Sequence, residues 1–152
     1  MPEVVIADTS CLILLTKISE LDLLRVCYKK IVVPEEVAQD YGSALPAWIE
    51  IKKVIQGSLQ KTLMQIIDAG EASAFALALE IPDTLVIVDD RKARKVALSL
   101  GLSVTGTLGI FIKAKRQGLI PAVKPILAKL ATTDFRVSEK LLDNILDLTG
   151  EK

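Results

Sequence analysis

The chain has 152 residues, 51% apolar and 25% charged, with nineteen basic and nineteen acidic side chains and no histidine. That length and apolar share predict one folded domain, residues 1–152, with a sizeable core, and exclude a mainly disordered chain. Without histidine, Ser-His-Asp and Cys-His catalysis, imidazole-ligated metallohydrolases and histidine-based ribonucleases are excluded, which leaves carboxylates, hydroxyls and amines for any chemistry. Cys11 and Cys27 lie in apolar stretches without Cys-x-x-Cys spacing, so neither a disulfide scaffold nor a zinc site is supported. No apolar run reaches the ~18 residues of a membrane span, and the amino terminus, with Glu3 and no basic cluster, does not read as a signal peptide. A cytoplasmic location is expected.

Val4 to Ala7 is short, apolar and β-branched, the pattern of a strand buried on both faces, and it ends at Asp8-Thr9-Ser10. Leu12, Leu15 and Ile18, then Leu21, Leu24 and Cys27, recur at helical spacing and predict two short helices parted near Ser19; their apolarity hints at a subunit interface. Ile31 to Val33 reads as a second strand, Pro34 opens a helix over 35–41, and the alternation in 48–54 suggests a third strand. Leu59, Leu63, Ile66 and Ile67 predict one helical stripe, followed by an alanine-rich helix from Glu71 to about Glu80. Leu85 to Val88 is the clearest buried strand and stops at Asp89-Asp90. A helix over 91–100, a short strand over 102–105 and helices over 108–116, 125–131 and 138–148 complete the chain. Buried strands alternating with helices predict an α/β class, with a parallel sheet of about five short strands between two helical layers.

Acids recur where predicted strands give way to helices. In an open parallel sheet ligands bind beyond the carboxyl ends of the strands, so Asp8 and Asp89-Asp90 are expected at one edge, with Glu71 near a helix amino terminus beside it. Helix capping explains each acid singly: Asp is a preferred N-cap, and Asp68-x-x-Glu71 fits a capping box. One member of the Asp89-Asp90 doublet is surplus to a cap. Asp40 follows Glu36 by four residues, a spacing equally suited to a solvated face. Carboxylates that do converge raise one another's pKa unless a cation compensates, and oxygen-only donors favour Mg²⁺ or Mn²⁺. Such ions support phosphodiester hydrolysis without histidine. The hydroxyls of Thr9 and Ser10 fit either local turn bonding or contact with water and phosphate.

The zero net charge conceals an uneven distribution. Arg91 to Thr133 holds nine basic residues and no acid, leaving ten basic against nineteen acidic elsewhere. That stretch suits a polyanion, or simply a solvated face. Within it, Arg91, Arg94 and Lys95 fit three roles equally: RNA-phosphate binding, surface ion pairing or reception of an acidic protein tail. Trp48, Phe75 and Phe111 read as core or interface anchors rather than base-stacking platforms.

Asp8-Thr9-Ser10, Val33-Pro34-x-x-Val37-x-x-Asp40, Gly70-Glu71-Ala72-x-Ala74, Val88-Asp89-Asp90-Arg91-x-Ala93-Arg94 and Val104-Thr105-Gly106-Thr107-Leu108-Gly109, in this order, resemble PIN-domain nucleases. The resemblance points to the compact prokaryotic branch that includes VapC-like toxins, and it extends to about Leu148. It implies an Mg²⁺- or Mn²⁺-dependent endoribonuclease, commonly homodimeric, with an antitoxin partner where the member is a toxin. Asp8, Glu71 and Asp90 are then the catalytic acids, and Asp8, Asp40, Glu71, Asp89 and Asp90 the metal-site acids, with Asp40 standing where the family usually has glutamate. Thr9, Ser10, Arg91, Arg94 and Lys95 are the expected RNA-binding residues. A non-catalytic RNA-binding or regulatory module on the same fold is the rival reading.

Overall fold

The computed structural model describes residues 4–152. Five strands, β1 (Val4–Ala7), β2 (Lys30–Pro34), β3 (Ile49–Lys52), β4 (Thr84–Ile87) and β5 (Ser103–Thr105), form one all-parallel sheet in the order β3-β2-β1-β4-β5. Nine helices fill the connections among the described residues: α1 (Thr9–Lys17), α2 (Asp22–Cys27), α3 (Glu35–Tyr41), α4 (Gly57–Leu63), α5 (Ala69–Glu80), α6 (Arg91–Ser99), α7 (Thr107–Arg116), α8 (Lys124–Leu130) and α9 (Glu139–Thr149). None is long and apolar enough to cross a membrane.

Strand side chains alternate between faces, and two separate cores show that alternation directly. Val5, Ala7, Ile31, Val33 and Ile87 pack with α1, α2, α7, α8 and α9, whereas Ile6, Val32, Val86 and Val88 pack with α4, α5 and α6. The result is the three-layer α/β/α arrangement expected of continuous apolar strands. Helix α5 suits the second layer because Ala72, Ala74, Ala76 and Ala78 allow it to be buried almost all round, with Phe75 filling the remaining space.

Two expectations need correction. The stripe from Leu59 to Ile67 is not one helix: α4 stops at Leu63, Ile67 turns inward, and Ile66 is 48% exposed. The intervening turns bring Asp68 to the start of α5, which begins at Ala69 rather than Glu71. Most leucines of α1 and α2 serve the chain's own core, with Leu12, Leu15, Leu23 and Leu24 buried there, while Ile13 and Val26 of the same helices stay exposed. Three cations of the basic run are engaged within the chain. Lys113 lies 4.0 Å from the centre of the Tyr28 ring, while Lys115 and Lys129 approach Glu151 and Glu20.

Candidate active site

The strand order places β1 beside β4, with β2 on the other side of β1, so the chain departs in opposite directions from two neighbouring strand ends. That divergence opens a crevice at the carboxyl edge. Asp8 follows β1 and Asp89-Asp90 follow β4, so these acids arrive at the crevice on the two most central connections.

Capping and convergence coexist. Asp8 Oδ1 accepts the Cys11 backbone N–H at 2.9 Å, Asp68 Oδ1 that of Glu71 at 2.8 Å, and Asp90 Oδ2 that of Ala93 at 2.9 Å. Each Asp thereby satisfies an otherwise unpaired helix N–H and fixes its own rotamer. For all three, the second carboxylate oxygen has no hydrogen-bond partner among the described residues. The Asp68 backbone offsets part of the rise in the Glu71 carboxyl, as the capping-box spacing leads one to expect.

A cavity of about 350 Å³ is lined by Asp8, Thr9, Ser10, Asp40, Asp68, Gly70 and Glu71. Asp8, 7% exposed, forms its buried part and Glu71 is half-buried, whereas Asp40 and Asp68 are exposed at the rim. Gly70 keeps the centre open: a Cβ there would lie 3.5 Å from both Thr9 Oγ1 and Asp68 Oδ1, and 3.7 Å from Asp40 Oδ2. Thr9 Oγ1 is buried without a hydrogen-bond partner among the described residues, an orphan that a ligand or water would satisfy. Asp90 stands in an adjoining cavity that shares Ser10, Asp68 and Glu71 with the first and adds Lys92.

The electrostatics bind these groups into one unit. Burial raises the Asp8 carboxyl from 3.8 to about 7, opposed by the Cys11 N–H and reinforced by the charges of Asp89 and Asp68. Glu71 rises from 4.5 to about 7, first through burial and then through Asp68, with Asp90 and Asp8 adding to the rise. The acids are therefore close enough to oppose one another's ionisation.

Asp89 takes a different part. Its Oδ1 accepts the Thr107 backbone N–H at 2.9 Å and its Oδ2 accepts the Thr107 hydroxyl at 2.6 Å, tying the β4–α6 turn to the start of α7. Gly106 makes the approach possible, since a Cβ there would come within 2.9 Å of Asp89 Oδ1 and 3.1 Å of Arg94 Nη1. Arg94 turns inward and donates to the Val88 carbonyl at 3.2 Å.

A protein-family model described as a PIN domain matches residues 4–151. The chain belongs to the PIN-domain family. PIN domains are generally nucleases, and a carboxylate-lined crevice at the divergence of β1 and β4 is consistent with that class. No curated protein and no solved structure gives a match.

The donor chemistry of this PIN domain fits a hard divalent cation: carboxylate and hydroxyl oxygens, two acids with strongly raised pKa values, and an open centre at Gly70. Among the described residues no three carboxylates or thiols stand close enough together to enclose an ion. The fit is therefore to Mg²⁺ or Mn²⁺ that keeps several waters and meets only one or two carboxylates directly.

Of the residues singled out in the sequence, Asp8, Thr9, Ser10, Asp40 and Glu71 share one cavity and Asp90 borders the next. Asp89 and Arg94 are engaged in holding turns, and Arg91 and Lys95 are exposed on α6 without lining either cavity. In the sequence Asp68 reads as a cap alone, Lys92 is one of nine cations in its stretch, and Thr107 sits in the Val104–Gly109 motif without a role of its own. Only the chain path from α4 to α5 shows that the Asp68 cap also faces the crevice.

Proposed function

We propose that this PIN domain is an Mg²⁺- or Mn²⁺-dependent endoribonuclease, with Asp8, Glu71 and Asp90 as the acids on which hydrolysis depends. The carrying observation is the raised pKa of both Asp8 and Glu71 within one oxygen-lined cavity, an arrangement that a divalent cation relieves. Asp8 and Glu71 would hold the ion, with Asp40 at the rim of the same cavity, Asp90 in the adjoining one, and Asp89 tying the β4–α6 turn to the start of α7 through Thr107. When bound, the ion supplies a water activated near neutral pH and stabilises charge developing on the phosphodiester.

The chain's own groups do the rest. Asp8 is immobilised by the Cys11 N–H, so its free oxygen is presented at the start of α1 with little reorganisation. The Thr9 hydroxyl, lacking a protein partner, is available to a water or phosphate oxygen. Ser10 lines both cavities and meets the substrate where they join. Lys92 supplies positive charge beside Asp90, a point contact for an adjacent phosphate.

Cleavage of RNA with Mg²⁺ or Mn²⁺ by the wild type and by Asp8→Asn tests the proposal, with a 5′-phosphate expected on the downstream product. Asn retains the cap, so the variant should fold; metal-dependent cleavage undiminished in it refutes the assignment. A second reading is a non-catalytic RNA-binding module, favoured by the lack of an ion-enclosing carboxylate trio among the described residues. Salt-dependent RNA binding without cleavage under any divalent ion would select it. The toxin role, an antitoxin covering the cavity and a homodimer follow from the VapC-like resemblance alone. A small upstream gene encoding a DNA-binding protein with an acidic tail would support them.

A further inference from the structure

A third cavity, of about 390 Å³, opens from the carboxylate crevice and has no part in the hydrolysis described above. It shares Ser10 with the two acidic cavities and is bounded by Asp89 at that end. One wall is a single face of α1, Ser10, Ile13, Leu14 and Lys17 at helical spacing, which carries the wall about 10 Å away from the site at 1.5 Å per residue. The facing wall is the loop between α8 and α9, with Asp134 and Phe135.

This loop is held in shape. Thr133 Oγ1 donates to the Leu130 carbonyl at 2.6 Å and accepts the Phe135 N–H at 3.2 Å, while Arg136 donates to the Thr133 carbonyl at 3.3 Å. Phe135 and Leu14 are half-buried against the core, and Ile13 is 37% exposed. The slot is thus apolar and braced, with a cation at one place on its rim. Lys17 is exposed and has no ion pair among the described residues.

The geometry points to a nucleotide subsite: an unpaired base of the RNA strand inserts against Phe135 and Leu14, and Lys17 binds its phosphate. This rests on the nuclease reading for the strand's passage across Ser10. Charge orients the nucleotide, since the Asp134 carboxylate repels phosphate but accepts an N–H from a base edge, whereas Lys17 does the reverse. Insertion of a base needs an unstacked strand, so the subsite selects single-stranded RNA over a duplex.

The test is fluorescence anisotropy of the full chain with a fluorescein-labelled, unstructured RNA hexamer in EDTA, alongside a duplex of the same length. Phe135→Leu keeps bulk for the core, and the expected result is hexamer binding weakened about fivefold or more with duplex binding unchanged. Lys17→Gln, at an exposed position, should weaken the hexamer and reduce the slope of log affinity against log salt by about 0.7. With Mn²⁺ present, both losses should fall on KM rather than kcat. Unchanged hexamer affinity in both variants overturns the subsite, as does equal weakening of the duplex or a change in sedimentation showing that a second copy occupies the slot. Wild-type protein that cuts RNA while both variants keep its KM sinks the subsite alone. Subsite-dependent binding without cleavage by the wild type sinks the nuclease reading alone.

Discussion

The β1–α1 and β4–α6 junctions are one device used twice in different surroundings. Each ends a buried strand with an Asp that caps the next helix through a 2.9 Å hydrogen bond from the residue three positions on. Asp8, on the central strand beside the amino-terminal end of α5, is buried and its carboxyl is raised to about 7. Asp90 makes the same local bond and remains exposed. Local sequence thus sets the cap, while the covering layer decides which cap is buried. The doublet adds a division of labour, because Asp89 spends both oxygens on Thr107 and leaves Asp90 to face Glu71.

The sharpest way to break the comparison is to neutralise the buried member. Asp8→Asn should lower RNA cleavage on the order of a hundredfold or more, since several kcal/mol of charge stabilisation depend on the site and each 1.36 kcal/mol is tenfold. Steady-state kinetics against wild type measure it.

The next effect is on stability without divalent ions. Between about pH 4 and 7 the folded chain retains protons on Asp8 and Glu71 that the unfolded chain has released, so stability falls as pH rises through that window. For Asp8 alone the loss is on the order of a few kcal/mol, and Asp8→Asn should flatten much of it. Thermal melts in EDTA from pH 4 to 8, repeated with Mn²⁺, give the slope; an equally steep decline in both proteins contradicts the account.

Thr107→Val probes the doublet's other half. It removes the 2.6 Å hydroxyl bond to Asp89 from a buried position, and a charge-assisted bond of this kind stabilises by about 1.5–3 kcal/mol. Denaturant unfolding should show a loss in that range. The smallest effect is expected from Asp90→Asn, which keeps the cap at an exposed position and should change stability by no more than about 0.5 kcal/mol while still reducing cleavage.

Much of the fold was legible because fully buried strands have few compositional solutions. Val4 to Ala7, Ile31 to Val33 and Leu85 to Val88 announced a parallel sheet, and Asp8 and the Asp89-Asp90 doublet marked the carboxyl edge where its two central connections leave. What stayed hidden depends on tertiary path. Ile66 continues a helical stripe on paper, yet the chain turns after Leu63 to deliver Asp68 beside Thr9 and Asp40 around Gly70. Lys92 is one cation among nine in its stretch, and nothing in its spacing tells that it, rather than Arg91 or Lys95, borders the crevice. Lys17 and Phe135 are separated by more than a hundred residues, so no local pattern joins them.

The central claim is that Asp8 and Glu71, delivered by separate elements, form one charge-sharing unit completed by a divalent cation. Calorimetric titration of metal-free protein with Mn²⁺, in buffers of different ionisation enthalpy, tests it most directly. The account predicts binding with proton release at pH 6 to 7, release that fades by about pH 9, and loss of both in Asp8→Asn. Absence of Mn²⁺ binding, or the same binding and proton release in Asp8→Asn as in the wild type, would contradict it.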